Sequence, residues 1–122
     1  MVTVLVLFLQ ISSAFQVGGL ESVVQWVQGT SHDFGTMEKG ITQSVDFEFK
    51  NTSKVPLVLE TVRTTCGCTA ADWDQEPVEP GATGKLRIEY DAFQAGAFKK
   101  KIRVFFVEQK KPEILWIEGT VE

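Results

Sequence analysis

The 122-residue sequence predicts an all-β domain, and three observations support that fold class. Apolar and polar residues alternate along short segments such as residues 44–50 and 85–91, which is the period of a strand with one buried face. Turn-forming residues separate these segments at short intervals. No stretch combines sustained helical spacing with a capping residue at its start. Such a pattern over about 100 residues predicts an immunoglobulin-like antiparallel β-sandwich of about seven strands.

The first half of the chain contains three predicted strands. Residues 23–27 form a short run rich in β-forming residues, and the turn formers in residues 31–35 are predicted to interrupt it. Residues 44–50 alternate strictly, and residues 56–63 form the next strand. The predicted order is therefore strand, turn, strand, strand.

The second half begins with a loop and continues with three strands. Residues 76–84 contain two prolines and two glycines, which predicts a loop. Residues 85–91, 98–107 and 113–121 are each predicted as strands, because their apolar residues recur at every second position.

The apolar positions of these strands predict the core. Most of them face inward with a period of two, which is the pattern expected for the inner faces of a sandwich. The predicted core residues are Phe34, Val45, Phe47, Phe49, Leu57, Leu59, Leu86, Ile88, Tyr90, Ile102, Val104, Leu115 and Ile117.

Length and charge exclude several functional classes. The chain is too short for a TIM barrel or a two-domain dehydrogenase. A net charge of -4 argues against a nucleic-acid-binding protein, which usually has a strongly basic balance. We therefore expect no nucleic-acid partner.

The N-terminus predicts export. Residues 1–14 combine a short apolar run with small residues before a cleavage site after Ala14, which is the pattern of a signal peptide, although no basic residue precedes the run. The alternative is a buried N-terminal strand. With cleavage, residues 15–122 form a single domain without an integral membrane span, and the location is periplasmic, cell-envelope or secreted.

The motif Cys66-Gly67-Cys68 is the one chemical oddity and has three interpretations. The cysteines form a disulfide suited to thiol–disulfide exchange, or they bind a soft metal such as Cu or Zn, or they are small buried residues at a bend. In the redox case Arg63 is the nearest cation in sequence. Gly67 is expected to adopt a backbone conformation that a residue with a Cβ would avoid.

His32 is the only histidine and hence the one candidate for a third metal ligand beside Cys66 and Cys68. In a turn, however, a histidine is more often a structural hydrogen-bonding residue than a base. We predict no catalytic residue, no cofactor site and no committed metal site. Cys66 and Cys68 remain the candidates for a redox or disulfide role.

Two surface motifs have ordinary structural interpretations. Lys99, Lys100, Lys101 and Arg103 form a basic cluster that is predicted to be the solvated edge of a strand, where lysine discourages association between edges. The sequence Asn51-Thr52-Ser53 is a glycosylation sequon.

A series of short motifs runs along most of the chain: His32-Asp33-Phe34-Gly35, Phe47-x-Phe49-x-Asn51-Thr52, Pro56-Leu57, Cys66-Gly67-Cys68-Thr69, Pro80-Gly81, Gly96-x-Phe98 and Gly119-x-Val121. Their order and spacing resemble those of a known bacterial family, domain of unknown function 1573. The resemblance implies an immunoglobulin-like sandwich related to the Hydin-type and major-sperm-protein-type domains. It also implies an exported bacterial protein, and it carries no established activity.

Two functions fit these observations. The first is a non-enzymatic interaction or structural module that presents strand edges and loops to a protein partner. The alternative is a thiol redox or metal-handling protein that uses Cys66 and Cys68.

Overall fold

The structure, a computed structural model, describes residues 22–122 and contains two packed β-sheets. Its strands are β1 (Val24–Trp26), β2 (Ser31–Met37), β3 (Gln43–Asn51), β4 (Leu59–Thr64), β5 (Thr69–Trp73), β6 (Thr83–Tyr90), β7 (Gly96–Phe106) and β8 (Glu113–Val121). No helix within this described part of the chain is long and apolar enough to cross a membrane. The predicted signal peptide, residues 1–14, lies outside the described residues.

The strands form two four-stranded sheets. The first sheet has the order β1-β3-β6-β5, and the second sheet has the order β2-β8-β7-β4. All pairs are antiparallel except β2 and β8, which are parallel. The prediction of an all-β immunoglobulin-like sandwich is confirmed. The structure corrects two details: the described residues form eight strands rather than about seven, and the sandwich is not wholly antiparallel.

The parallel pair arises where the chain crosses between the sheets. Residues 27–30 carry it from β1 in the first sheet to β2 in the second without reversing its direction. A hairpin would have placed two antiparallel neighbours in one sheet. The crossover instead places β2 beside β8, with Ser31 opposite Trp116 and Met37 opposite Val121.

The prediction that residues 31–35 form a turn is wrong, because this segment belongs to β2. The register with β8 shifts between Asp33 and Thr36, which marks a β-bulge. Gly35 has a φ of 68°, and its N–H donates a 2.7 Å hydrogen bond to Asp33 Oδ1. The turn-forming residues therefore build a bulge inside a strand.

The core lies between the two sheets. Phe34 and Val45 are half-buried and pack against it, whereas the other predicted core residues are buried. The sequence analysis missed Val24, Trp26, Met37, Ala92, Phe106 and Val121. It also missed the edge strand β5, which is short and contains only small or polar residues before Trp73.

The sequon asparagine has a structural role instead. Asn51 is 1% exposed, and its Nδ2 donates to the carbonyl oxygens of Val55 at 2.7 Å and Val78 at 2.9 Å. Its Oδ1 accepts a 2.8 Å hydrogen bond from the N–H of Ser53. The side chain thus ties together two loops at one end of the sandwich. Because both hydrogens of Nδ2 are engaged, the folded domain does not offer this nitrogen for glycosylation.

The opposite end of the sandwich, here called the cysteine end, is formed by residues 38–42, 65–68 and 91–95. Backbone hydrogen bonds link these turns. The N–H of Asp91 donates to the oxygen of Cys68 at 2.8 Å, and the N–H of Gly40 donates to the oxygen of Ala92 at 2.8 Å. The two cysteines therefore lie at a surface formed by three turns, which backbone hydrogen bonds join to one another.

Candidate functional site

Cys66 and Cys68 are joined in a disulfide at the cysteine end. β4 ends at Thr64 and β5 begins at Thr69, so the pair occupies the turn that passes from the second sheet to the first. The Cα atoms are 5.2 Å apart, which is within the usual range for a disulfide. Both residues are half-buried, and Cys68 packs against the core.

The disulfide closes a very small loop and cross-links no distant segments. A loop of three residues gives a stabilisation of about 1.6 kcal/mol by the chain-entropy relation, roughly half that of a 15-residue loop. Backbone contacts hold the same turn independently. The N–H of Thr69 donates to the oxygen of Cys66 at 3.2 Å, and Thr64 Oγ1 donates to that oxygen at 3.2 Å.

Gly67 does not adopt the conformation that the sequence analysis predicted. It is not among the glycines with positive φ, and a Cβ built on it would meet no atom within 4 Å. The turn is therefore achieved in a backbone region open to any L-residue. The reason is that the chain bends over several residues here, not at Gly67 alone.

A cleft of about 240 Å³ lies beside the disulfide. Its lining comprises Cys66, Cys68, Tyr90, Asp91, Phe93, Gln94 and Lys100. Lys100 is the cation of this cleft, whereas the Arg63 guanidinium lies 5.4 Å from the centroid of the Phe105 ring on the outer face of the second sheet. Arg63 is the nearest cation to the cysteines in sequence, but the alternation of β4 directs it away from them.

Tyr90 forms the floor of the cleft. Its ring stacks on Phe98 with centroids 3.9 Å apart, and the residue is 6% exposed. Burial raises the pKa of the Tyr90 phenol above its ordinary value. The phenol therefore stays neutral at physiological pH.

The structure does not bring His32 to the cysteines. His32 lies on β2 opposite Ile117, and its ring packs edge-on against Phe34 with centroids 4.7 Å apart. Among residues 22–122 no group of three or more His, Cys, Asp or Glu side chains could hold a metal ion. The hypothetical set of Cys66, Cys68 and His32 is therefore not assembled, and both sulfurs are already bonded to each other.

The basic cluster is not at a strand edge, contrary to the sequence prediction. β7 lies in the interior of the second sheet, between β8 and β4. Alternation along β7 places Lys99, Lys101 and Arg103 on its outer face, while Lys100 faces the cleft. The error arose because a strand with many charged residues was taken for an edge, whereas only one of its faces is charged.

Aromatic rings lie close to several cations of this outer face. Lys99 Nζ lies 5.1 Å and Lys101 Nζ 5.7 Å from the centroid of the Trp116 ring, within the range of a cation–π interaction. Arg63 and Phe105 form a third such contact. We call this surface the basic–aromatic face; it comprises Arg63, Lys99, Lys101, Arg103, Phe105 and Trp116.

The charges of this face are not balanced by their neighbours. Arg63 lies directly opposite Arg103 in the β4–β7 register, and like charges in that position destabilise a sheet. Glu118 is opposite Lys99 and Asp33 of β2 is opposite Glu118, but no carboxylate among the described residues lies within 4.0 Å of any of the four cations. The cations of this face therefore make cation–π contacts but no ion pair within the part of the chain that the structure describes.

The sequence contains a pattern from which part of this surface could have been predicted. The alternation predicted for residues 98–107 places Lys99, Lys101, Arg103 and Phe105 on one side. Trp116 and Arg63 could not be added, because their positions depend on which strands flank β7.

Comparison with functionally characterised proteins finds no significant match. Among solved structures, a protein of unknown function from Porphyromonas gingivalis aligns with a TM-score of 0.67 at 23% identity, over 80% of this chain and 46% of that chain. The chain thus spans about half the length of that relative. The VesB protease of Vibrio cholerae aligns with a TM-score of 0.67 at 11% identity, over 80% of this chain and 32% of that chain.

Two isolated domains give the same architecture. The ASH/PapD-like domain 7 of human CEP192 aligns with a TM-score of 0.66 at 12% identity, over 92% of this chain and 96% of that chain. The C. elegans MSP family member WR4 aligns with a TM-score of 0.53 at 10% identity, over 84% and 100% of the two chains. At these identities the likeness establishes the fold alone.

The family comparison is more specific. The model of the family described as a protein of unknown function, DUF1573, matches residues 25–121, which includes every described strand except the first residue of β1. This confirms the resemblance seen in the sequence motifs. The chain belongs to the DUF1573 family.

Proposed function

We propose that the domain is a non-enzymatic interaction module whose basic–aromatic face binds an acidic segment of a partner protein. The observation that carries the proposal is the Arg63–Arg103 pair. Two guanidinium groups in direct cross-strand register weaken the sheet, so their presence is explained by an anionic group that lies across both.

The structure of the sheet edges favours a face over an edge as the binding surface. Of the four edge strands, β1 has only three residues, β5 has five, and β2 and β4 are each interrupted by a register shift. Short or bulged edges are poor templates for an added strand. The outer face of β7 and β8 is regular over nine consecutive residue pairs, which offers a wider and more rigid surface.

The chemistry of the face favours an acidic protein segment. Trp116 and Phe105 provide flat apolar contact area, which is enriched at protein interfaces, and the unneutralised cations attract carboxylates. The net charge of -4 of the whole chain would repel a long polyanion such as nucleic acid beyond the contact area. A short acidic segment avoids that repulsion.

A binding titration tests the proposal. The probe is a fluorescently labelled oligoglutamate peptide, followed by anisotropy at low and at physiological salt. The double variant Lys101→Glu/Arg103→Glu is expected to lose about tenfold or more in affinity. The matched control is Lys50→Glu/Lys85→Glu on the outer face of the first sheet, which changes the net charge by the same amount and is expected to keep its affinity.

Two outcomes would contradict the proposal. Equal losses in the two double variants would mean that net charge alone governs binding. Tighter binding of a single-stranded oligonucleotide of equal charge would assign the face to nucleic acid instead of a protein segment.

The expected export of residues 1–14 belongs to the same proposal, because it decides which partners the face meets. The apolar run and the small residues before Ala14 support it. N-terminal sequencing of protein recovered from the periplasm or medium should begin at Phe15. Retention of Met1 in that material would contradict cleavage.

A further inference from the structure

The disulfide at the cysteine end is not part of the basic–aromatic face and calls for a separate explanation. Exposed or half-buried disulfides that close small loops are poor structural staples. Cys66 and Cys68 meet this description, because they are half-buried and their disulfide closes a loop of only three residues. The two sheets already hold the strands on either side of that loop. Their sulfurs also line an open cleft.

The turn keeps its hydrogen bonds without the disulfide. The oxygen of Cys66 accepts from the N–H of Thr69, and the oxygen of Cys68 accepts from the N–H of Asp91. These bonds involve main-chain atoms only, so cleavage of the S–S bond leaves them in place. A site that is reduced and reoxidised reversibly needs a scaffold of this kind.

The two sulfurs differ in their surroundings. The N–H of Cys68 donates to Cys66 Sγ at 3.3 Å, and such a donor stabilises negative charge on that sulfur. Lys100 lines the same cleft as the two cysteines. Asp91, the acidic residue of the cleft, accepts a 2.6 Å hydrogen bond from Thr42 Oγ1, which partly satisfies its carboxylate. Cys66 is therefore the better leaving thiolate.

We infer that Cys66–Cys68 is a thiol–disulfide exchange site that reacts with a protein dithiol entering the cleft between Phe93 and Lys100. Phe93 is 64% exposed and gives the incoming polypeptide an apolar contact at the rim of the cleft. The inference is independent of the binding role proposed for the basic–aromatic face.

The exchange balances with the two partners alone. One thiolate of the dithiol attacks Cys68 Sγ, a new S–S bond forms, and the electron pair of the old bond leaves on Cys66 Sγ. In the mixed disulfide, the first sulfur of the dithiol is bonded to Cys68 Sγ. The second thiolate of the dithiol then attacks that first sulfur and releases the Cys68 thiolate. The dithiol is oxidised by two electrons, and Cys66 and Cys68 take up two electrons and two protons. The reverse sequence oxidises the pair.

The first experiment measures the rate of reduction by dithiothreitol in the full chain. The rate constant in the folded protein is expected to equal or exceed the rate constant in the protein unfolded in guanidinium. Near-ultraviolet circular dichroism should stay native after reduction. A folded-state rate about 100-fold below the unfolded-state rate, or loss of the native spectrum on reduction, would overturn the inference.

Two lysine variants test whether Lys100 speeds the exchange reaction or whether the disulfide reacts only because it is accessible. Lys100→Gln is expected to slow reduction several-fold, because it removes the cation of the cleft that the disulfide lines. Lys50→Gln, an exposed lysine on the outer face of the first sheet, is the matched control and should react as the wild type does. Equal rates in both variants would contradict the role of Lys100 as a positioning cation.

Single-cysteine variants test the order of attack and remain informative even when the disulfide is gone. Cys68→Ser leaves the thiol of Cys66, and Cys66→Ser leaves the thiol of Cys68. At neutral pH the thiol of Cys66 is expected to react with iodoacetamide several-fold faster. The opposite order would show that Cys68 is the leaving group and would overturn the proposed sequence.

Discussion

The outer faces of the two sheets differ in which charged residues stand opposite each other on neighbouring strands. On the first sheet, acids stand opposite bases in the β3–β6 register: Asp46 opposite Arg87, and Glu48 opposite Lys85. On the second sheet, Glu118 stands opposite Lys99, but Arg63 stands opposite Arg103. Pairs of opposite charge stabilise a sheet and leave little charge for a partner, whereas the Arg63–Arg103 pair weakens the sheet and leaves its charge available. This difference supports the proposal that the second face binds a partner.

The inner faces of the two sheets, in contrast, are built alike. Each contains a phenylalanine directly opposite a glycine: Phe49 opposite Gly84 in the first sheet, and Phe98 opposite Gly119 in the second. A Cβ added to Gly84 would collide with the Phe49 ring, and one added to Gly119 would approach both the carbonyl oxygen of Gly35 and the Phe98 ring to 3.0 Å. The rings therefore occupy the space that the glycines leave free.

The largest expected effect is a loss of stability, which should be much greater for a side chain between the sheets than for one on an outer face. Phe47 is 3% exposed at the centre of the core, so Phe47→Ala is expected to lower the free energy of unfolding by about 3–5 kcal/mol. Phe105→Ala, on the outer face, should cost much less, because that ring is half-exposed. Chemical denaturation measures both, and equal losses would contradict the assignment of the two faces.

The next effect tests the likeness of the inner faces. Gly84→Ala and Gly119→Ala are each expected to lower the free energy of unfolding by about 1–3 kcal/mol, because an aromatic ring must move. Gly67→Ala, where a Cβ meets no atom within 4 Å, is the control and should be near neutral. A tolerated alanine at either of the first two positions would show that the sheets do not share this packing.

Much of this comparison follows from the sequence, and the reasons for the rest are physical. The period-two pattern identified the inner residues of β3, β6, β7 and β8, because one buried face imposes it. It could not say which strand lies beside which, so Lys99, Lys101 and Arg103 were assigned to an edge when β7 is interior. Sheet order depends on long-range contacts that local sequence does not encode.

The cysteine end shows the same limit. The exit of β4 and the proximity of the two cysteines follow from sequence, because only one residue separates them. The cleft does not, because Phe93 comes from the β6–β7 connection and Lys100 from β7, and local sequence does not place either beside the cysteines. The bulge at Gly35 was misjudged for a related reason, since the same residue types build turns and bulges.

A smaller effect concerns pH and the paired charges of the first sheet. The hydrogen bond from Arg87 at 3.0 Å lowers the pKa of Asp46 below its ordinary value. A carboxyl group with a lowered pKa in the folded state stabilises the protein above its unfolded pKa of about 3.9, and that contribution is lost as the pH falls through the lowered value. Asp46→Asn should therefore lower stability slightly at neutral pH and have no effect at the lowest pH.

Thermal unfolding as a function of pH measures this effect. The two stability curves should approach each other as the pH falls below about 4 and converge only below the lowered pKa of Asp46, where the carboxyl is protonated in the folded protein as well. Curves that stay parallel down to low pH would mean that the Asp46–Arg87 pair does not contribute through its charge.

The most direct test of the account is Arg63→Glu, studied for stability and binding together. The new carboxylate opposite Arg103 replaces a like-charge pair with a complementary one, so the free energy of unfolding should rise by about 0.2–1 kcal/mol. Affinity for the oligoglutamate probe should fall by about tenfold. Arg87→Glu on the first sheet changes the net charge equally and should lower stability while the affinity stays unchanged. An Arg63→Glu variant that is more stable and binds as tightly as the wild type would contradict the claim that the second face serves binding.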